Sequence, residues 1–325
     1  MPYALDPELA PRATEIPSMP FDDVPRARAL SAGLSAGRAP SGTAGLVDVR
    51  SLGVPRAEGV PEVPVRIYAP KSGDRTGAAL VYLHGGGFCL GGVDTADGVA
   101  SLLASETGAV VVSAGYRLAP ENPFPDAIDD CWAVFLWAVG HAAEWGVDPA
   151  RIGVGGDSAG GGLAAAVSLL ARDRGGPVPA FQYLGMPVLD DRLESASMRA
   201  FTDTPGLRRA DVVSMWDNYL GAGVRGGTDV SAYAAPARAG DLRGLPGTYV
   251  SACEFDPLRD EALAYATRLL AAGVPTELHV YPGTFHASGI IRDAEISRQM
   301  VRDTVTAIRR GLREKARASY SPDAR

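Results

Sequence analysis

The sequence predicts an α/β fold in which a mostly parallel β-sheet is flanked by helices. The apolar runs at 78–83 and 109–114 are continuous apart from Ser113, which is typical of strands that are buried on both faces of a parallel sheet. A longer stretch with helical character, 126–141, follows them, and strand-like and helix-like segments go on alternating up to residue 310. Strands that alternate with helices of this length form βαβ units.

The other elements are predicted in chain order. Residues 1–45 are rich in Pro, Ala and Gly, lack a clear strand pattern, and are expected to hold short helices at 6–13 and 25–34. The predicted strands are 63–68, 78–83, 109–114, 151–154, 181–184, 248–253 and 276–281, and the later predicted helices are 97–106, 126–141, 161–172, 260–272 and 294–310.

Two segments do not fit this alternation. Residues 190–236 follow a strand and contain two expected helices among many small, polar and turn residues. Insertions of this kind at the carboxyl edge of a sheet commonly form a lid or a wall over a site. The last segment, 314–325, is charged and contains Pro and Ser, so we expect a flexible tail.

The composition excludes several classes of protein. With 31 basic and 38 acidic residues the formal net charge is −7, so no basic face for a nucleic acid is expected. Three widely spaced cysteines do not indicate a disulfide framework and are typical of proteins inside the cell. The first residues do not resemble a signal peptide, and no apolar run approaches the roughly eighteen residues of a membrane span. We therefore expect a cytoplasmic globular protein.

A candidate nucleophile is found in one of two Gly-x-Ser-x-Gly matches. This pattern places a serine on a sharp turn between a strand and a helix. Ser35, in the first match, has no apolar strand before it and Pro40 close behind, whereas Ser158 follows the strand 151–154 and precedes the helix 161–172. A dinucleotide-binding turn at the same place would need glycine where Ser158 stands. The sequence therefore predicts Ser158 as the nucleophile.

A glycine-rich segment follows the strand 78–83. The sequence His-Gly-Gly-Gly-Phe at 84–88 allows successive backbone N–H groups to turn toward one point, where a tetrahedral oxyanion can be held. Alone it is also typical of a flexible turn, but a later elbow serine favours the catalytic interpretation. The expected donors are the N–H groups of Gly86, Gly87 and Ala159, with Gly85 helping the turn. The histidine of this motif is expected to brace the loop.

The candidate base is chosen by chain order and by position. In Gly-x-Ser-x-Gly hydrolases of this type the serine is followed first by the acid and then by the histidine. Of the four histidines, only His279 and His286 follow Ser158. His279 lies inside the predicted strand 276–281, whereas His286 lies just past it, at the sheet edge where catalytic groups gather. We therefore predict His286 as the base.

The candidate acid follows the strand 248–253. Asp256 lies in the loop just beyond this strand, and Glu254 is its competitor. Asp260 and Glu261 are better explained as acids in the first turn of a helix, where the helix dipole favours them. Asp256 would hold the imidazole tautomer and stabilise the imidazolium without itself taking the proton.

Together these residues resemble the bacterial hormone-sensitive-lipase-like esterases, or family IV, of the α/β-hydrolase fold. The resemblance is carried by 84–88, by Tyr-Arg-Leu-Ala-Pro-Glu at 116–121, by 156–160, by 256–261 and by the loop around His286. It spans the chain from about residue 60 to the last helix. The family usually has Gly-Phe after its catalytic histidine, whereas this chain has Ala287 and Ser288. The alanine keeps the position small, but the loss of the aromatic ring is expected to change the pocket wall or the angle of the last helix.

The resemblance implies an eight-stranded sheet with a helical cap. The expected domains are N-terminal cap helices at 1–45, a catalytic domain at 46–189 and 237–313, and a cap insertion at 190–236. The implied activity is hydrolysis of short acyl esters without a metal or an organic cofactor, often by a homodimer. The candidate residues for the substrate wall are Phe88, Tyr116, Phe201, Trp216 and Tyr219.

The expected chemistry is two-step acyl transfer, in which an acyl-enzyme forms on Ser158. Because the same triad also serves amidases, thioesterases and natural-product deacetylases, these alternatives stay open. A non-catalytic ligand-binding relative is disfavoured, since all three residue types of the triad are present.

Overall fold

The computed structural model describes residues 3–16, 18–36, 45–71 and 75–313. The strands are β1 (Val47–Val54), β2 (Val63–Pro70), β3 (Ala79–Leu83), β4 (Val110–Ala114), β5 (Ile152–Asp157), β6 (Phe181–Gly185), β7 (Gly247–Phe255) and β8 (Thr276–Phe285). The α-helices are α1 (Val24–Ala36), α2 (Val93–Thr107), α3 (Asp126–His141), α4 (Ala159–Asp173), α5 (Ala196–Ala200), α6 (Arg209–Leu220), α7 (Arg259–Ala271) and α8 (Glu295–Arg313).

All eight strands form one sheet in the order β1-β2-β4-β3-β5-β6-β7-β8. β1 pairs antiparallel with β2, and β2 pairs antiparallel with β4, while every other neighbouring pair is parallel. The carboxyl ends of β3, β5, β7 and β8 therefore meet at one edge of the sheet. The segments that follow these four strands carry all the candidate catalytic groups.

Helices cover both faces of the sheet. On one face, Val81, Leu83 and Val154 pack into a large core with side chains of α3, α4 and α7. On the other face, Leu80 and Tyr82 pack with α2 and α8. Adjacent strand residues thus face opposite cores, which explains why β3 is apolar without a break. None of the described helices is long and apolar enough to cross a membrane.

The predicted α/β fold is confirmed, with a mostly parallel sheet of eight strands between helices. All seven predicted strands are present, α3 has the predicted bounds, and α5 and α6 are the two helices expected within 190–236. Most other helix bounds differ by one to four residues. The predicted tail, 314–325, lies outside the described residues.

Two expectations for the first part of the chain are corrected. β1 was not predicted: only Val47 and Val54 at its two ends are buried, Val49 is exposed, and the alternation of apolar and polar residues breaks off after Arg50. The helix expected at 6–13 is instead a 3-10 helix at Ala10–Glu15. Pro11 lacks the N–H group that an α-helix would use here.

Candidate active site

Ser158 lies on a strained turn between the end of β5 and the start of α4. Its backbone has φ 57° and ψ −119°, a conformation that costs an L-residue about 1–3 kcal/mol. The turn passes so close to β3 that a Cβ atom on Gly156 or Gly160 would overlap the Leu83 carbonyl oxygen. The Ser158 N–H donates to the Gly185 carbonyl at 2.7 Å. The glycines of the motif are therefore needed for close approach, and the strained serine is held by the neighbouring strand.

The structure brings the three predicted triad residues into one hydrogen-bonded line. The distance from Ser158 Oγ to His286 Nε2 is 3.0 Å, and the distance from His286 Nδ1 to Asp256 Oδ2 is 2.7 Å. The second carboxylate oxygen, Oδ1, accepts a hydrogen bond from the Leu258 N–H at 2.9 Å. Because the carboxylate accepts the Nδ1 proton, Nε2 is left to accept the serine proton. Asp256 and His286 are both buried.

The competing acids and the other histidine after Ser158 make different contacts. Glu254 accepts a hydrogen bond from the Gly283 N–H at 2.7 Å, and Asp260 accepts one from the Ser197 N–H at 2.7 Å. Glu261 accepts one from the Leu189 N–H at 2.7 Å, and burial raises its pKa well above the ordinary value. His279 lies within β8 and forms an ion-pair contact with Glu277, 2.8 Å from its Nε2 atom.

The glycine-rich segment after β3, which we name the oxyanion loop (residues 84–90), lies against the serine turn. A Cβ atom on Gly85 would be 3.5 Å from Ser158 Cβ. Gly86 and Gly87 have φ values of 125° and 58°, a region that favours glycine. Among the described residues, no group accepts a hydrogen bond from either of their N–H groups. Ala159 is the first residue of α4, where the N–H groups of a helix are free to meet an anion.

His84 and Tyr116 support the start of this loop. Their rings stack with centroids 4.2 Å apart and an interplanar angle of 10°. The Tyr116 hydroxyl donates to the His84 carbonyl at 2.8 Å, and His84 Nδ1 lies 2.8 Å from the Gly85 carbonyl oxygen. Burial lowers the pKa of His84 to about 4, so the ring is neutral at pH 7 and its Nδ1 donates to that carbonyl. Both side chains therefore brace the loop.

The predicted wall residues are not all placed alike. Phe88, Trp216 and Tyr219 are buried and pack on one another, with Phe88 stacked on Tyr219 at a centroid distance of 3.9 Å. Together with Tyr116, they belong to the hydrophobic core. Phe201 is partly exposed and lies edge-on to Phe255, with ring centroids 6.0 Å apart. Phe255 comes directly before the candidate acid, Asp256. The structure thus brings Phe201, but not the other four, to a partly exposed position.

Sequence reasoning missed several residues around the site. Tyr3 packs on Phe201 and Phe255 at 5.8 and 5.3 Å, and burial together with a hydrogen bond to Asp203 raises its pKa to about 12. Phe21 and Met215 lie so close to Gly87 that a Cβ atom there would collide with both. Both Tyr3 and Phe21 lie in the first segment, where no motif marks them.

Asp157, next to the candidate nucleophile Ser158, accepts hydrogen bonds from two tyrosine hydroxyl groups. Its carboxylate accepts hydrogen bonds from Tyr82 at 2.7 Å and from Tyr183. Burial raises the pKa of Asp157, and the two hydroxyl groups act in the opposite direction. In the described ranges, no group of three His, Cys, Asp or Glu side chains is arranged to hold a metal ion.

Comparison with known proteins agrees with this architecture. Residues 80–289 match the family described as alpha/beta hydrolase fold. Carboxylesterase NlhH of Mycobacterium tuberculosis is 42% identical over 241 residues, which are 74% of each protein. Among solved structures, a bacterial heroin esterase is 46% identical with a TM-score of 0.90, covering 95% of this chain and 98% of that one. Esterase LipW of Mycobacterium marinum is 37% identical with a TM-score of 0.86, covering 95% and 96%. The chain therefore belongs to the hormone-sensitive-lipase-like family of esterases, and it is a carboxylic ester hydrolase.

Proposed function

We propose that this chain is a serine carboxylesterase that hydrolyses short-chain acyl esters through an acyl-enzyme on Ser158. The observation that carries the proposal is the hydrogen-bonded line from Ser158 Oγ through His286 to Asp256, with distances of 3.0 and 2.7 Å. This geometry meets the requirement that a nucleophile lie within reach of a base that is itself oriented by a third group.

In the first step, His286 Nε2 takes the hydroxyl proton while Ser158 Oγ attacks the ester carbonyl. The carbonyl oxygen becomes an oxyanion and accepts hydrogen bonds from the N–H groups of Gly86, Gly87 and Ala159. The imidazolium then gives its proton to the leaving alcohol, and the acyl group stays on the serine. In the second step, His286 activates a water molecule, which attacks the acyl-enzyme and releases the acid and the free serine.

We also propose that residues 1–45 and 190–236 form a cap over a catalytic domain at 46–189 and 237–313. The support is that both parts contribute side chains next to the oxyanion loop: Phe21 from the first and Met215, on α6, from the second. Tyr3 and Phe201 add a second contact between them. The preference for short esters is proposed from the resemblance to the family. The cytoplasmic location and the homodimer stay predictions.

The proposal is tested by hydrolysis of p-nitrophenyl acetate, butyrate, octanoate and palmitate, with fluorophosphonate labelling alongside. We expect fast turnover of the two short esters, slow turnover of palmitate, and loss of both activity and labelling in Ser158→Ala. Ser35→Ala, which alters the other Gly-x-Ser-x-Gly match, is the control and should keep both. Labelling that persists in Ser158→Ala would refute the nucleophile. Matched anilide and thioester substrates distinguish an esterase from an amidase or a thioesterase.

A further inference from the structure

The motif at 116–121 carries part of the family resemblance but contributes no group to the triad. Its contacts lead to the oxyanion loop instead. Tyr116 donates to the carbonyl of His84, where the loop begins, and the Ala119 N–H donates to the Phe88 carbonyl at 2.9 Å, near its end. The motif thus lies along the loop and holds it at two points.

Arg28, on α1, joins the same two segments from outside the sheet. Its Nε donates to the Cys89 carbonyl at 3.0 Å, and its Nη2 donates to the Ala119 carbonyl at 3.0 Å. Both Nη atoms also donate to the Glu121 carboxylate, at 2.8 and 2.7 Å. This hydrogen bonding lowers the pKa of Glu121, so the pair stays charged near neutral pH. One guanidinium group therefore holds the oxyanion loop, the motif and the N-terminal helix together.

Two peptide units connect the Arg28 side chain to the Gly87 N–H, one of the proposed oxyanion donors. The Cys89 carbonyl, which Arg28 holds, shares a peptide unit with the Leu90 N–H, and that N–H donates to the Gly86 carbonyl at 2.9 Å. The Gly86 carbonyl in turn shares a peptide unit with the Gly87 N–H. Because a peptide unit is planar, fixing its carbonyl also fixes the direction of its N–H.

The second bond to the Gly86 carbonyl is held in a similar way. The Cys89 N–H donates to it at 3.0 Å, and the carbonyl of the same peptide unit, on Phe88, accepts from Ala119. The carbonyl of Ala119 is in turn a partner of Arg28. Hydrogen bonds in such a chain also polarise one another, so the guanidinium charge strengthens the donor at its end.

We propose that Arg28 is a positioning residue for ester hydrolysis, which couples the N-terminal helix to the direction of the Gly87 N–H in the oxyanion hole. This inference rests on the proposed function, since it assumes that Gly87 binds the oxyanion. Removing the Arg28 guanidinium should weaken binding of the transition state more than binding of the substrate. We expect Arg28→Ala to lower kcat about tenfold and to change KM by less than about twofold.

The experiment compares Arg28→Ala, Arg28→Lys and Glu121→Gln with wild type. Arg26→Ala is the matched control, since it removes the same charge from an exposed position on the same helix. The readouts are kcat and KM for p-nitrophenyl butyrate, the thermal midpoint, and the inhibition constant of an alkyl trifluoromethyl ketone, whose addition product with a serine mimics the oxyanion. We expect inhibitor affinity to fall in parallel with kcat, most in Arg28→Ala, less in Arg28→Lys and least in Glu121→Gln.

Two results would overturn the proposal. One is an Arg28→Ala enzyme with the same kcat and inhibitor affinity as Arg26→Ala. The other is a fall in kcat that leaves inhibitor affinity unchanged, which would indicate a merely structural contact. If Arg28→Ala does not fold, Arg28→Lys and Glu121→Gln decide by the same criteria. Failure of the proposed function is separate, because it shows as activity that survives in Ser158→Ala.

Discussion

The carboxyl edge of the sheet and the segments that cover it are held in different ways. At the edge, main-chain geometry sets the candidate catalytic groups, as with Ser158, which has a positive φ and lies two residues from Gly156 and from Gly160. The covering segments, residues 3–16, 18–36 and 190–236, are held by side chains: apolar ones such as Trp216 in the core, and polar ones such as Arg28 and Asp191. We therefore expect substitutions of the edge residues to lower kcat. Substitutions of the anchoring side chains should lower the free energy of unfolding or change the direction of an oxyanion-hole N–H group.

The largest expected effect tests the edge. Asp256→Asn keeps the shape of the side chain but cannot hold the His286 tautomer that accepts the serine proton. We expect kcat to fall about 10⁴-fold with little change in the thermal midpoint. The matched control is Glu254→Gln, which changes the competing acid two residues earlier; its partner is the Gly283 N–H and not His286. An equal loss of kcat in the control would break the assignment of the acid.

A large effect on stability is expected where the two ends of the segment 190–236 meet. The fully buried Asp191 accepts two hydrogen bonds from Arg238 and one from the Gly226 N–H at 2.7 Å, so it ties the two ends of the segment 190–236 together. Asp191→Ala leaves a half-buried guanidinium without its partner, and the free energy of unfolding should fall by about 3–5 kcal/mol.

The matched control for this change is Asp241→Ala, which removes the exposed contact with Arg243 and one acceptor for the Arg243 N–H, and should lower the free energy of unfolding far less than Asp191→Ala does. Urea unfolding measures the free energies, and kcat of the folded fraction should stay within about threefold of wild type. A stable Asp191→Ala protein with a large loss of kcat would contradict the expectation that this anchoring side chain acts on stability and not on kcat.

A third prediction concerns the effect of pH on the braced loop. The pKa of His84 is about 4 in the folded protein, below its value of about 6.5 in an unfolded chain, so the unfolded state binds more protons between these values. Stability from this group is fully present above pH 6.5 and is lost as the pH falls toward 4. The loss should reach roughly 3 kcal/mol. His84→Asn, which keeps a donor for the Gly85 carbonyl, should show a flatter pH dependence in urea unfolding.

The smallest expected effect is at the residue after the candidate base, His286. Ala287 has φ 61° and ψ 15°, a left-handed conformation that glycine adopts more readily. A glycine, which the resemblance to the family leads us to expect here, would adopt this conformation without strain. Ala287→Gly should raise the free energy of unfolding by up to about 1 kcal/mol and leave kcat unchanged. By contrast, Ala264→Gly, at an exposed position inside α7, should lower it by about 1 kcal/mol.

The central strands were predictable, and the edge strand was not. Every residue of β3 and of β4 is buried, so an apolar run marks each of them, interrupted only by Ser113 in β4. β1 lies at the margin of the sheet and is a strand because β2 pairs with it along its whole length. Its own side chains carry almost no signal, since partner and position, not burial, define it.

In the candidate site, too, some residues could be predicted from the sequence and others could not. Ser158, Asp256 and His286 could be chosen from the sequence because each follows a predicted parallel strand, and the chemistry allows few residue types. The aromatic residues could not be assigned to core or wall in this way, because a large apolar ring suits both. Packing puts Trp216 in the core and leaves Phe201 partly exposed.

The sequence by itself determined the α/β fold, the turn that carries the candidate nucleophile, and the order of the candidate triad. These depend on local patterns: apolar runs, glycines at fixed spacing, and polar residues just after strands. Only the tertiary structure decided which distant groups touch, as with Arg28 and the Cys89 carbonyl, or Tyr82 and Asp157. The physical reason is that such contacts depend on how whole elements pack across long sequence separations, and no local pattern records that packing.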